Sequence, residues 1–477
     1  MLRSGRAGKL DAVAAGNFVM SQAEVKWSTA FNRFGLGARG GAAPASGDPR
    51  EALAGELAAA NAGALQRPDL PTTAQAMAIL FAYEDRPKPA PMASPSPAAM
   101  AAAATPAPNP VNDTFQAETQ ARVEAGMGAE IGYVERLVAF WSNHFCIAVD
   151  KSQAVRILAG AFEREAIRPY VLGRFADMVR AVESHPAMLI FLDNAQSVGP
   201  GSRAGQNGKR GMNENFAREI MELHTLGVDG GYTQGDVAEF ARMLTGWTFA
   251  GKNGKLGTPG TFLFNANAHE PGPRRLLGRD YAEPGVAQAE AALDDLARHR
   301  ATARHVAGKF ARAFVADAPS PALVGRLEDV FADTQGDLRA LARAMIADDE
   351  AWSAPPVKLR DPWQMVLASY RALGLDASKP GQVNNMLNLL GQPLWNPGGP
   401  NGFPEATDVW LSPEGMKMRV EIAARFGRRA KDAPPPADLI ARVLPDASPE
   451  TREAILRAET PQQAYALLLL SPEFQRR

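Results

Sequence analysis

The sequence predicts a mainly α-helical, multi-helix globular protein with short extended segments and long loops rich in glycine and proline. Three observations carry that expectation. Apolar residues recur at helical spacing over most of the chain beyond residue 113. Helix-start chemistry precedes several of these stretches. Only two short runs, residues 188–192 and 261–264, read as strands.

In chain order, residues 1–23 predict a disordered or over-called start, with Met20 opening a more conventional one. Residues 24–84 form an N-terminal helical segment. Residues 85–112, dominated by Pro, Ala and Ser, read as an extended linker or long loop, because such a stretch buries too little apolar surface to offset its ordering entropy. A central body, 113–350, carries helical patterns at 114–147, 152–182, 213–226, 234–246, 286–316 and 320–346. Within it, Thr233 and Asp236 have capping-box spacing, with Asp in place of Glu. A C-terminal helical region, 351–477, is expected to pack on that body through helices at 362–373, 412–428, 436–443 and 461–471. Pro362 suits a first helical turn. Glycine-rich stretches at 199–211, 227–231, 251–260 and 396–402 are expected loops.

Composition narrows the function classes. With 477 residues the chain is long enough for about three structural units and a large core. Lys plus Arg number 51 against 52 Asp plus Glu, and a net charge of −1 carries no polyanion signature, so no nucleic-acid partner is expected. A lone cysteine, Cys146, excludes an intrachain disulfide and any thiolate-built zinc or iron–sulfur site. No apolar run approaches the roughly 20 residues of a membrane span. The N-terminus lacks the apolar core of a signal peptide, which favours the cytoplasm.

Six histidines are few enough to place one by one. On a helix through 133–146, His144 lies within roughly 60° of Leu137, Phe140 and Trp141, so it faces apolar neighbours. His224 lies likewise between Ile220 and Ala217. Either each is a core histidine satisfied by one hydrogen bond, or both converge on one site as ligands or acid–base groups. Burial would keep them neutral, which suits either role. The helix bearing His224 has a second face, where Asn215, Arg218, Glu219 and Glu222 share an arc of roughly 100°. That face is either an ordinary charged surface or, if buried, a place where Arg218 holds one carboxylate ionised and the other acts as general base or metal ligand. His224 points roughly 140° from Glu219, so a regular helix cannot alone set both on one ion. Neither Glu-x-x-His nor His-Glu-x-x-His is present. His269 sits in a loop between Asn267 and Glu270, free to serve a site or to lie in a solvated turn. His299 and His305, among arginines, read as helix surface, and His185 before Pro186 starts a helix or extended segment.

Two loop readings fail in detail. The 199–211 loop invites a phosphate-binding role, but Lys209 is followed by Arg210 rather than Ser or Thr, and Arg203 occupies the first glycine position. As a flexible basic loop before a helix it could still hold a carboxylate or phosphate group. Residues 225–236 match only two acidic positions of a calcium loop, Asp229 and Asp236, so calcium is rejected.

Several stretches together resemble a known family. They are Asn32-Arg33-Phe34-Gly35-Leu36-Gly37, the run Glu135 to Phe145 (ERLVAFWSNHF), and the run Asn213 to Gly227 (NENFAREIMELHTLG). Tyr232-Thr233 with Leu244-Thr245-Gly246-Trp247-Thr248, Gly391 to Pro397 (GQPLWNP) with Gly399 to Gly402 (GPNG), and Leu469 to Gln475 (LLSPEFQ) extend the match. The chain thus resembles the DUF1800 family of bacterial proteins over nearly its whole length, with the Pro/Ala linker a peculiarity of this member or its subgroup. The resemblance implies a mainly helical protein without an established activity. It also implies a gene neighbourhood shared with DUF1501 proteins, which resemble the alkaline-phosphatase and sulfatase superfamily and usually carry export signals. A cell-envelope context, or export in a partner's company, is the resulting alternative to the cytoplasm. The family's characteristic positions fall here on Asn143, His144, Arg218, Glu219, Glu222, His224 and His269.

Two functional expectations result. The first is a hydrolytic enzyme with His144, Glu219, Glu222, His224 and His269 as catalytic groups and Asn143, Asn215 and Arg218 as substrate contacts, with or without a divalent metal. The second is a non-catalytic assembly or escort partner for an exported DUF1501-type protein, motivated by the absence of a complete catalytic motif. The sequence names no cofactor and no metal.

Overall fold

Helices begin where a short polar side chain can take up their first free N–H groups. Ser152 accepts from Val155, Asp361 from Gln364, and Thr233 forms the expected reciprocal box with Asp236. Proline occupies the first turn of the helices Pro110–Gly128, Pro362–Leu373, Pro413–Arg429 and Pro461–Leu470, where its missing N–H costs nothing. The computed structural model describes residues 22–41, 46–87, 108–206 and 211–477. Over these residues the protein is mainly helical, with two small antiparallel hairpins. One pairs Trp247–Phe249 with Phe262–Phe264 in the register Trp247 to Phe264. The other pairs Arg274–Leu276 with Arg279–Tyr281. Among the described residues no helix is long and apolar enough to cross a membrane.

One buried apolar cluster runs from Ala30 to Phe474, so segments distant in sequence share a core. The Pro49–Ala58 helix packs on Leu338–Ala347 and Tyr133–His144, and Thr73–Glu84 packs on Gln153–Phe162 and Pro110–Gly128. Most of the expected linker, residues 88–107, and most of the expected disordered start, residues 1–21, lie outside the described residues. So does the part of the basic loop at 207–210. The linker's expected end is corrected, because Asn109 caps a helix that already starts at Pro110.

Residues 188–192 are not a strand. They belong to the short buried helix Pro186–Phe191, which His185 caps through its Nδ1 and Pro186 opens. Five apolar residues in a row carry no period, so such a run cannot by itself separate a strand from a buried helix. Long expected helices also break. The 114–147 stretch divides at Gly132, whose φ is +96°. The 152–182 stretch passes through a π-helical turn, Glu163–Ile167, and a 3-10 turn holding Pro169 before restarting at Phe175.

Three π-helical turns occur among the described residues, Ala30–Phe34, Glu163–Ile167 and Ile220–His224. Each inserts an extra residue into a helix, a distortion concentrated at functional sites. The first leads into a backbone held by buried arginines. Arg136 donates to the carbonyls of Arg33 and Gly35, Arg360 to the Asn32 side chain, and Arg371 to the Gly37 carbonyl. Gly37 has φ +90°, and a β-carbon there would come within 2.9 Å of the Ala368 methyl. Only glycine permits that turn and that approach.

Candidate functional site

The last turn of the Tyr133–His144 helix feeds two neighbouring clusters. The first is made of imidazoles. His144 Nε2 donates to the His224 carbonyl at 3.1 Å, and His305 Nε2 donates to the adjacent Leu223 carbonyl at 3.1 Å. The His144 ring lies 6.3 Å from His224 and 6.1 Å from His305, centre to centre. His224 Nδ1 donates to Glu183 Oε1 at 2.7 Å, and both residues are buried. The bond from Nε2 leaves the neutral His144 ring with a lone pair at Nδ1, and neither His144 Nδ1 nor His224 Nε2 has a hydrogen-bond partner among the described residues. Glu183 Oε2 is also left without one.

The π turn explains why a regular-helix projection misplaces this region. Ile220–His224 winds more widely than an α-helix and ends where Thr225 Oγ1 returns to the Ile220 carbonyl at 2.7 Å. Angular spacing counted at 100° per residue therefore fails across it. Glu219 is half-buried and lies in electrostatic range of His224. Burial raises its pKa, while His224 opposes that rise. Burial, followed by Lys309, His305 and His224, pushes the His144 pKa well below the ordinary imidazole value. Burial and then Lys309 lower His305 to about 4. Both rings are neutral at pH 7.

That shift has a testable sign. A histidine with a depressed folded pKa binds its proton more readily when unfolded, so its contribution is present above the unfolded value of 6.5 and is lost as pH falls below it. Chemical-denaturation midpoints are expected to fall between pH 6.5 and 4, and the slope should flatten in His305→Gln. An unchanged slope in that variant would remove His305 from the account.

The other expected site residues lie elsewhere. His269 Nδ1 bonds the Thr245 carbonyl at 3.1 Å, and its ring meets Phe264 edge-on. The neighbouring Glu270 accepts from the Gly201 N–H at 2.7 Å, so this loop closes on the 199–206 turn. None of these partners belongs to the imidazole cluster. Arg218 reaches Gln234 at 2.8 Å, Glu222 lies in electrostatic range of the Tyr232 phenol, and Asn215 is exposed. Among the described residues, no group of three or more His, Cys, Asp or Glu is placed to hold a metal ion.

Asn143 belongs to the second cluster. Its side chain brackets the Phe403 backbone, Nδ2 donating to the carbonyl at 2.9 Å and Oδ1 accepting from the N–H at 2.8 Å. The 396–405 loop is thereby fastened over a cavity of about 110 Å³. Four cationic side chains line it, Arg122, Arg136, Lys358 and Arg477, against two carboxylates, Asp361 and Glu405. Trp363, Trp395, Trp410 and Phe314 supply aromatic wall. Arg122 lies 4.7 Å over Trp363, and Arg136 lies 5.0 Å over Phe314. Among the described residues, Arg136 and Arg477 hydrogen-bond only to backbone carbonyls, and Arg477 Nε has no partner. Burial lowers the pKa of both guanidiniums, that of Arg477 to about 10, so the charge persists at a cost. Cys146 reaches the cavity too, donating to the Pro400 carbonyl at 3.2 Å. Burial pushes its thiol up to about 12, so it is no thiolate nucleophile at neutral pH.

Beneath the cavity lies Glu163, at the start of the second π turn. Its carboxylate accepts from Ser142 and Trp395 at 3.0 Å and pairs with Arg122 at 3.1 Å and Arg168 at 3.0 Å. Arg168 in turn forks onto Glu135 at 2.8 and 2.9 Å.

Sequence reasoning missed Glu163, Glu183, Arg122, Arg136, Arg477 and Glu405, and it read as helix surface His305, which the structure places in the imidazole cluster. For two of them a signal was available, since Arg136 stands four residues before Phe140, and Glu183 four after Val179, on apolar helix faces.

Fold and site together define a mainly helical protein built around an aromatic-walled, cation-lined cavity with a buried imidazole cluster beside it. The chain belongs to the DUF1800 family. The family model described as "Protein of unknown function (DUF1800)" matches residues 29–476, which contain every residue of both clusters but Arg477. No curated protein and no solved structure matches the chain.

Proposed function

We propose that this protein binds a small organic anion in the cavity between the Tyr133–His144 helix, the Pro362–Leu373 helix and the 396–405 loop. The observation that carries the reading is the pair of lining guanidiniums, Arg136 and Arg477, that among the described residues hydrogen-bond only to backbone carbonyls, whereas Arg122 pairs with Glu163 and Lys358 with Asp317. A buried cation without a carboxylate partner is costly, and an anionic ligand would offset that cost. The aromatic wall suits an apolar body, and an apolar cavity of roughly 150 Å³ holds a benzene ring. At about 110 Å³ this space is smaller than that, so a single-ring anion needs the 396–405 loop to give way as it enters.

Thermal melts with benzoate, phenylacetate and cinnamate test it, with benzamide as the uncharged control. A ligand at about 100 times its Kd stabilises the folded state by about 2.7 kcal/mol. The anions are expected to raise the melting temperature and benzamide not to. Arg136→Lys keeps the charge but loses the planar fork, and should weaken benzoate at least about tenfold. No stabilisation by any of the three anions, or equal stabilisation by benzamide, removes the reading.

A second reading, hydrolysis at the imidazole cluster, is favoured by His144 Nδ1 and His224 Nε2, which have no hydrogen-bond partner among the described residues. Glu183 would hold His224 in the tautomer a general base needs. Turnover of a p-nitrophenyl ester series should then disappear in folded His224→Ala and fall in Glu183→Gln. Retained turnover in both would exclude the cluster. No turnover in the wild type, with co-purification of a co-expressed DUF1501-type protein, would favour the escort role.

A further inference from the structure

Of the two carboxylates lining the cavity, one is already committed. Asp361 accepts from the Gln364 N–H at 2.8 Å and from its amide at 2.5 Å. The Glu405 carboxyl has no hydrogen bond within the described residues, although its backbone is firmly placed. Its carbonyl takes the Lys358 ammonium at 2.6 Å, Phe403 is bracketed by Asn143, and the Thr407 N–H donates to Asp317 at 3.0 Å. A half-buried acid fixed by its main chain, with its functional group unspent, faces the same space as Arg136 and Arg477.

Resting on the cavity reading above, we infer that Glu405 recognises the ligand's head group as a carboxylate by sharing one proton with it. Two carboxyl groups brought together cannot both stay ionised, and the stable arrangement is one proton between them. The O–H of one carboxyl then donates to the carboxylate of the other, with no covalent bond beyond that O–H changing. The pair carries one negative charge, which the lining guanidiniums balance. Burial raises the Glu405 pKa, so the resting protein is inclined to supply that proton. The charged groups in electrostatic range of Glu405 are Lys309 and Arg312 on the Arg300–Phe314 helix, then Lys358 and Arg477. Asp361 and Cys146 share its cavity.

Isothermal titration of benzoate between pH 5 and 8 tests the inference. Wild-type affinity is expected to fall toward about tenfold per pH unit once Glu405 ionises, with one proton taken up per benzoate bound in that range. Glu405→Gln, which carries a permanent N–H donor, should bind with little pH dependence and exceed the wild type at least tenfold at pH 8. If the slope persists in Glu405→Gln, Lys309 deprotonation is the cause and the inference fails. A pH-independent wild type, or benzoate binding without proton uptake, overturns it while leaving the cavity reading intact. Proton uptake is read on the wild type, so the test still decides if the variant misfolds. Absence of benzoate binding at every pH removes both.

Discussion

Replacing Glu163 by alanine is expected to destabilise the protein by about 3–5 kcal/mol, the range for breaking a buried ion pair by removing one partner. The cost comes from what remains. Arg122 and Arg168 would keep their charges in the interior, and Trp395 Nε1 and Ser142 Oγ would lose their acceptor. Glu163→Gln keeps the shape and one acceptor oxygen, so it should fall between alanine and wild type. The measurement is the urea midpoint with its slope unchanged. A loss below about 1 kcal/mol in Glu163→Ala would mean that Glu135 and water take over both guanidiniums. The pH sign follows from the wild-type carboxylate. Burial alone would raise its pKa, but Arg122, Arg168, Trp395 and Ser142 together hold it below the ordinary 4.5. A depressed carboxylate stabilises above its unfolded pKa and loses that contribution as pH falls through the folded value. Acid unfolding below about pH 4 should therefore be blunted in Glu163→Gln relative to wild type.

Gly402→Ala is expected to abolish the benzoate response while leaving the helical body folded. Gly402 has φ +78°, which costs an L-residue roughly 1–2 kcal/mol. A β-carbon there would also stand 2.5 Å from the Asn143 carbonyl oxygen and 2.8 Å from its Oδ1. Backbone cannot yield as a flexible side chain does, so the loop must lift. With it go the Asn143 bracket, Phe403, Pro404 and Glu405, which form part of the cavity lining. Circular dichroism should show wild-type helix content, and benzoate titration should show at least a hundredfold loss of affinity. Unchanged affinity in a folded variant would mean that the 396–405 loop does not shape the site.

These two variants probe what the sequence leaves hidden. Helical periodicity, N-cap side chains and prolines at first turns were enough for the mainly helical class, and Thr233, Ser152 and Asp361 cap as local chemistry requires. The motif around Asn143 and His144 was also legible, as was the apolar setting of His144 and His224. Projecting helix faces did not reveal that adjacent residues serve different clusters, Asn143 clamping the 396–405 loop and His144 joining His224.

The chain on its own settled the mainly helical class, where many helices start, and that His144 and His224 turn inward, because those depend on neighbours within a few positions. The partners of inward-facing charges were settled only by folding. Glu163 meets Trp395 across 232 positions, Arg371 holds Gly37 across 334, and His224 finds Glu183 rather than its own acidic stripe. A periodic pattern tells that a side chain leaves water. What receives it depends on how helices cross and on local departures such as the π turns, whose extra residue resets every angle counted from a regular spiral.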